Sequence, residues 1–145
     1  NFNSPQQVVL SGETAVVGRA VTMINEGGSG KAVELNVSAP FHSSLMKPAA
    51  EEFEKFLGEF PFGRPRIEFI DNVTGAMESE PEQIKQKLVD QLSMPVQWER
   101  SVLTACEAGA SIFVESGPGT VLSGLVKRIV KEQKIVNGEK LLREA

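Results

Sequence analysis

The chain lacks any apolar run approaching the ~18 residues that a membrane-spanning helix needs. It also lacks a polybasic block. Its 15 Lys and Arg stand against 19 Asp and Glu, for a formal charge of −4. With a pI of about 5.1, a nucleic-acid surface is not expected. The one cysteine, Cys106, cannot form an internal disulfide or a cysteine-based zinc site, so a reducing, cytoplasmic setting is expected. The one histidine, His42, removes every multi-histidine metal motif, and no metal site is expected. The opening Asn1-Phe2-Asn3-Ser4-Pro5 has neither an initiator Met nor a charged-then-apolar leader, which leads us to expect a segment of something longer. What remains is ordinary for a globular chain: 145 residues, 41% hydrophobic and 23% charged.

Hydrophobic spacing predicts alternating strands and helices, and hence an α/β fold. Val8-Val9-Leu10 is a short β-type run. Val16, Val17, Ala20, Val21 and Ile24 recur at helical spacing up to a cap at Gly27, and residues 32–37 alternate as a half-buried strand does. Residues 1–37 thus predict a β-α-β unit, too small to stand alone. A helix follows from near Ser44, where Pro48 is tolerated in the first turn. Met46, Ala49, Ala50, Phe53, Phe56, Leu57 and Phe60 share its apolar face. Ile67 to Ile70 predicts a strand with a turn at Asp71-Asn72 and Thr74-Gly75. Helices are expected from Pro81 towards Pro95 and from Gln97 to Ala108, with Gly109 closing the second. Ile112-Phe113-Val114 is a strand candidate. After the Gly117-Pro118-Gly119 turn a last helix places Val121, Leu122, Leu125, Val126, Ile129 and Val130 inward.

Several motifs fail on inspection. Gly28-Ser29-Gly30-Lys31 is not a phosphate loop, because Asn25 stands where Gly is needed and Ala32 where Ser or Thr is needed. Gly117-Pro118-Gly119 does not continue to GxGxxG, since Leu122 occupies the third glycine position. No GxSxG elbow exists, which argues against a self-contained serine hydrolase.

His42 has two readings. It is either a loop histidine satisfied by a backbone group or a general base. The second gains from its place after a predicted strand and before a helix, where ligands and catalytic groups collect in α/β sheets. A neutral imidazole there serves near pH 7 if a partner sets its tautomer.

Four ordered segments carry a resemblance: Asn3-Ser4-Pro5-Gln6-Gln7-Val8-Val9-Leu10-Ser11-Gly12, Val37-Ser38-Ala39-Pro40-Phe41-His42-Ser43-Ser44-Leu45-Met46-Lys47-Pro48-Ala49, Gln91-Leu92-Ser93-Met94-Pro95-Val96-Gln97-Trp98, and Glu115-Ser116-Gly117-Pro118-Gly119-Thr120-Val121-Leu122-Ser123-Gly124-Leu125. Together they resemble the C-terminal half of the malonyl-CoA:acyl carrier protein transacylases of bacterial fatty-acid synthesis, over nearly the whole chain. The resemblance implies an α/β-hydrolase-like large subdomain with a ferredoxin-like small subdomain inserted. Residues 1–37 would be the closing β-α-β of the small one and residues 38–145 the C-terminal part of the large one. It also implies malonyl transfer from malonyl-CoA to the phosphopantetheine thiol of acyl carrier protein through a seryl ester, with no cofactor beyond these substrates.

By the same resemblance, His42 corresponds to the catalytic histidine, which takes the serine proton and returns one to the leaving thiolate. Gln91 corresponds to the residue whose backbone carbonyl accepts the Nδ1 proton. Phe41 matches a residue that helps select an unbranched malonyl unit, with plain packing as the other reading. Asn1 and Asn3 match an Asn-aromatic-Asn segment near the site mouth, or they cap the turn into the first strand. Lys31 matches a basic position facing coenzyme A phosphates, or is a solvated loop lysine. Lys127, Arg128, Lys131 and Lys134 form a basic stripe on the last helix, open to an acidic carrier protein or simply solvated.

The nucleophilic serine in its elbow, the arginine that pairs with malonate and the oxyanion donors belong in this family to the N-terminal half. The chain carries none of them and is expected to be inactive alone, with the missing N-terminal half as a partner. The competing expectations are a polyketide-type acyltransferase domain and a non-catalytic carrier-protein-binding module. No nucleic acid or membrane is expected among its partners.

Overall fold

The computed structural model describes residues 1–28 and 30–138. Two short strands open it, β1 (Phe2–Ser4) and β2 (Gln7–Val8), joined by the turn at Pro5-Gln6 and paired antiparallel with an irregularity between Phe2 and Ser4. Helix α1 (Thr14–Gly27) follows, and Gly28, at φ 66°, ends it one residue later than its spacing suggests. A 3-10 turn (Ser44–Met46) leads into α2 (Lys47–Gly58), with Pro48 in the first turn as expected. Then come α3 (Pro81–Asp90), α4 (Trp98–Glu107), β3 (Ile112–Glu115), α5 (Val121–Ile129) and β4 (Lys134–Asn137). Gly109, at φ 95°, turns the chain after α4. The architecture is α/β.

Residues 32–37 form no strand, so the β-α-β unit expected over residues 1–37 is absent. Asn25 ties the start of the segment back to α1, its amide donating to the Ala32 carbonyl (3.1 Å) and its Oδ1 accepting from the Ala32 amide (2.9 Å). Beyond that no strand among the described residues pairs with it, and Val33, Leu35 and Val37 are exposed. Alternation prepares a segment for a sheet, but an extended chain cannot satisfy its own backbone.

The parallel β-α-β unit lies instead at the other end, where β3 and β4 pair from Ile112↔Lys134 to Glu115↔Asn137 with α5 between them. The sequence pattern did not announce β4. The Ile67–Ile70 strand likewise reduces to one bridge, Ile70 with Met77.

The apolar core between α2 and α3 positions the site. Ala50, Leu57 and Val89 are buried there, with Phe53, Phe62, Leu88 and Leu92 packed around them. Phe56 and Phe60, expected on that face, are instead exposed, their rings tilted at 55° with centroids 4.9 Å apart. On α5 the inward residues are Ser123, Leu125 and Val126, whereas Val121 and Leu122 face out. Glu115 binds the first turn of this helix from outside it. Its carboxylate accepts from the Leu122 amide (3.0 Å), the Ser123 amide (2.9 Å) and the Ser123 hydroxyl.

These Ser123 bonds, the hydroxyl first, hold the Glu115 carboxyl below its usual value of 4.5. A carboxylate lowered on folding adds stability that is present above the unfolded value and is lost as pH falls through the folded one. Glu115→Gln is therefore expected to lower the urea midpoint near neutral pH. The gap from the parent should narrow as pH falls below the ordinary 4.5 and close as it passes through the lowered folded value. A gap constant with pH would mean that the carboxylate charge is not what caps α5.

Candidate active site

The site assembles where α3 ends. Gln91 is the C-terminal cap of α3, and the last carbonyls of a helix have no partner within it. His42 takes that of Gln91 together with the carbonyl of the residue after it. Its backbone amide donates to the Leu92 carbonyl at 3.1 Å, and its Nδ1 lies 2.7 Å from the Gln91 carbonyl oxygen. A carbonyl only accepts, so Nδ1 carries the proton and Nε2 of the neutral ring is left as the basic nitrogen.

Reaching this position requires an uncommon backbone. His42 has φ 59°, the one positive value among the described non-glycine residues. Left-handed backbone costs a non-glycine residue roughly 1–2 kcal/mol, and such outliers persist where surrounding bonds hold them. Here the bonds to α3 are joined by the next residue, whose Ser43 hydroxyl donates to the Pro40 carbonyl (2.7 Å) and accepts from the Leu45 amide (3.3 Å).

Asn1 is tied to the loop after α3. Its Oδ1 accepts from the Val96 amide at 3.3 Å, and Phe2 donates to the Val96 carbonyl at 2.8 Å. Asn3 follows on β1, half-buried. Phe41 precedes the histidine and is exposed. Lys31 lies exposed on the loop after α1, outside this bonded group. The basic stripe is broken, because Lys131 and Lys134 lie beyond the end of α5 and Lys134 belongs to β4. Among the described residues there is no cluster of three or more His, Cys, Asp or Glu able to hold a metal, and no helix is long and apolar enough to cross a membrane.

One participant is not marked by the sequence pattern. Asn72 lies in the turn expected at residues 71–75. Its side-chain amide donates to Gln91 Oε1 at 2.9 Å, and its carbonyl accepts from the Gln97 amide at 2.7 Å. The turn chemistry was legible, but nothing in the sequence says that its second residue reaches the end of α3.

The arrangement offers an oriented imidazole with a free basic nitrogen and no nucleophile of its own. Comparison with known proteins places it. The acyl transferase domain family matches residues 1–142. A malonyl CoA-acyl carrier protein transacylase of Haemophilus influenzae is 42% identical over 137 residues, 94% of this chain and 44% of that protein. The crystal structure of an acyl carrier protein S-malonyltransferase from Vibrio cholerae superposes with a TM-score of 0.89 at 45% identity, covering 94% of this chain and 45% of that one. A malonyl-transacylase solved in complex with its type II PKS acyl-carrier protein superposes with a TM-score of 0.86 at 42% identity, over 94% of this chain and 44% of that one. The chain thus spans under half the length of these relatives. Its match to the family is nearly end to end, and it belongs to the acyl transferase domain family.

Proposed function

We propose that this chain is the base-bearing portion of a malonyl-CoA:acyl carrier protein transacylase. The observation that carries the reading is the bond between His42 Nδ1 and the Gln91 carbonyl, 2.7 Å long, which leaves Nε2 free to work. In the reaction a serine of the N-terminal portion attacks the malonyl thioester while His42 Nε2 takes its proton. The C–S bond breaks, and the imidazolium returns a proton to the departing coenzyme A thiolate. The phosphopantetheine thiol then attacks the seryl ester, with Nε2 again taking the proton and giving it to the serine oxygen.

A carbonyl instead of a carboxylate behind the ring lends less charge to the imidazolium. A thiolate leaves readily enough for that to suffice. No cofactor enters the scheme.

In this reading Phe41 stands beside the acyl group and crowds a 2-methyl branch. Asn1 and Asn3 line the mouth, and Lys31 meets the coenzyme A phosphates. Residues 1–37 belong to a ferredoxin-like small subdomain and residues 38–145 to an α/β-hydrolase-like large one. The unpaired segment at residues 32–37 supports that division, since its exposed Val33, Leu35 and Val37 suit a strand whose neighbours come from elsewhere. A cytoplasmic location fits a lone thiol and soluble substrates. The transacylase solved in complex with its type II PKS acyl-carrier protein supports the same class of partner here.

The test is intact mass after brief incubation with malonyl-CoA of this chain combined with the N-terminal portion of a relative. A malonyl adduct is expected on that portion. Absence of an adduct from a mixture shown to assemble would overturn the reading.

A further inference from the structure

We propose that Asn72 is a positioning residue for His42, acting through Gln91. The proposal rests on the reading of His42 as general base. The bonds that carry it are independent of that reading. Asn72 bridges two helix ends, with its side chain on Gln91 Oε1 (2.9 Å) at the close of α3 and its carbonyl on the Gln97 amide (2.7 Å) at the cap of α4. The acceptor of the His42 proton is the main chain of the same Gln91. Holding the side chain therefore restricts the carbonyl, which lies past the last full turn of α3 where helices fray.

Asn72 is itself held firmly. Asp71, 3% exposed, accepts from the amides of Val73 (2.9 Å) and Thr74 (2.8 Å) and from the Thr74 hydroxyl. The Gly75 amide donates to the Asp71 carbonyl (2.9 Å), and the Thr104 hydroxyl of α4 donates to the Gly75 carbonyl (2.6 Å). The turn at residues 71–75 is thus a bracket fastened to α4, and Asn72 is the arm that reaches α3. An exposed, unsupported imidazole favours the tautomer with its proton on Nε2, which is useless as a base at that nitrogen. Keeping the Gln91 carbonyl in place keeps the proton on Nδ1.

His42 is the only histidine, so its ring nitrogens are read without assignment in a long-range proton–nitrogen NMR correlation of the labelled chain, at a pH where the ring is neutral. The parent chain is expected to show the Nδ1–H tautomer in excess. Asn72→Ala is expected to lower the tautomer ratio about fivefold, the effect of one net hydrogen bond. Gln91→Met removes the same bond while leaving the turn intact, and serves if Asn72→Ala does not fold. Gln91→Glu, which keeps an oxygen for the Asn72 amide, should hold the parent ratio.

A folded Asn72→Ala with the parent ratio would overturn the proposal. So would Gln91→Met and Gln91→Glu behaving alike, or a parent ring protonated on Nε2. Failure of the transacylase reading would show separately, as a missing malonyl adduct with the tautomer results unchanged.

Discussion

Replacing His42 with alanine is expected to slow malonyl transfer to acyl carrier protein by about 10²–10⁴-fold, the usual worth of a positioned general base. The measurement is the steady-state rate of this chain combined with the N-terminal portion its relatives carry. KM for malonyl-CoA should change little, because Nε2 moves a proton and holds no part of the ground-state substrate. Alanine at φ 59° retains the backbone strain while losing the ring's bond to the Gln91 carbonyl, so a second variant guards against a folding artefact. His42→Asn suits left-handed backbone far better and still lacks the base. It should be as slow as His42→Ala. A rate within tenfold of the parent in a folded variant would mean that another group takes the serine proton.

Gly75→Ala is expected to cost about 2–5 kcal/mol of stability, which combines left-handed strain with overpacking. Gly75 is buried at φ 66°, and a Cβ built there meets the Cβ and Cγ of Arg100 at 2.8 Å. These atoms sit at the root of the Arg100 side chain, so relief requires moving α4 itself. A domain with roughly 5–15 kcal/mol in hand would survive, with its melting temperature lowered by roughly 6–15 °C. Because the turn is fastened to α4 through the Gly75 carbonyl, the same variant should loosen Asn72 and shift the His42 tautomer. Thermal unfolding checks the first effect. A loss below about 1 kcal/mol would show that the turn rotates away from α4 without penalty.

Local chemistry placed much of this fold correctly. Pro48 and Pro81 open α2 and α3 because proline suits a first helical turn. Gly109 turns the chain after α4 because left-handed ends favour glycine, whereas α1 closes at Gly28 and not at the expected Gly27. The loop before α2 was marked as the place of His42, and the bond of its ring to the Gln91 carbonyl agrees in geometry with what the resemblance implied. Strands fared worse, since pairing partners are remote in sequence. Residues 32–37 alternate yet stay unpaired, while Lys134–Asn137 shows no marked pattern and pairs because β3 lies beside it. Helix faces were legible to within a turn, but rotation was not, as Val121 and Phe56 show by facing outward.

By itself the sequence determined to within a few residues where the helices lie, that the chain has one histidine, and that no GxSxG elbow accompanies it. Each follows from residue type and near-neighbour spacing. Only the tertiary structure decided that His42 adopts left-handed backbone, that its ring meets a carbonyl at the end of α3, and that the Asn72 amide reaches the side chain of Gln91 across 19 residues of chain. Those depend on helix ends meeting in space, where orphaned carbonyls find whichever donors packing brings to them.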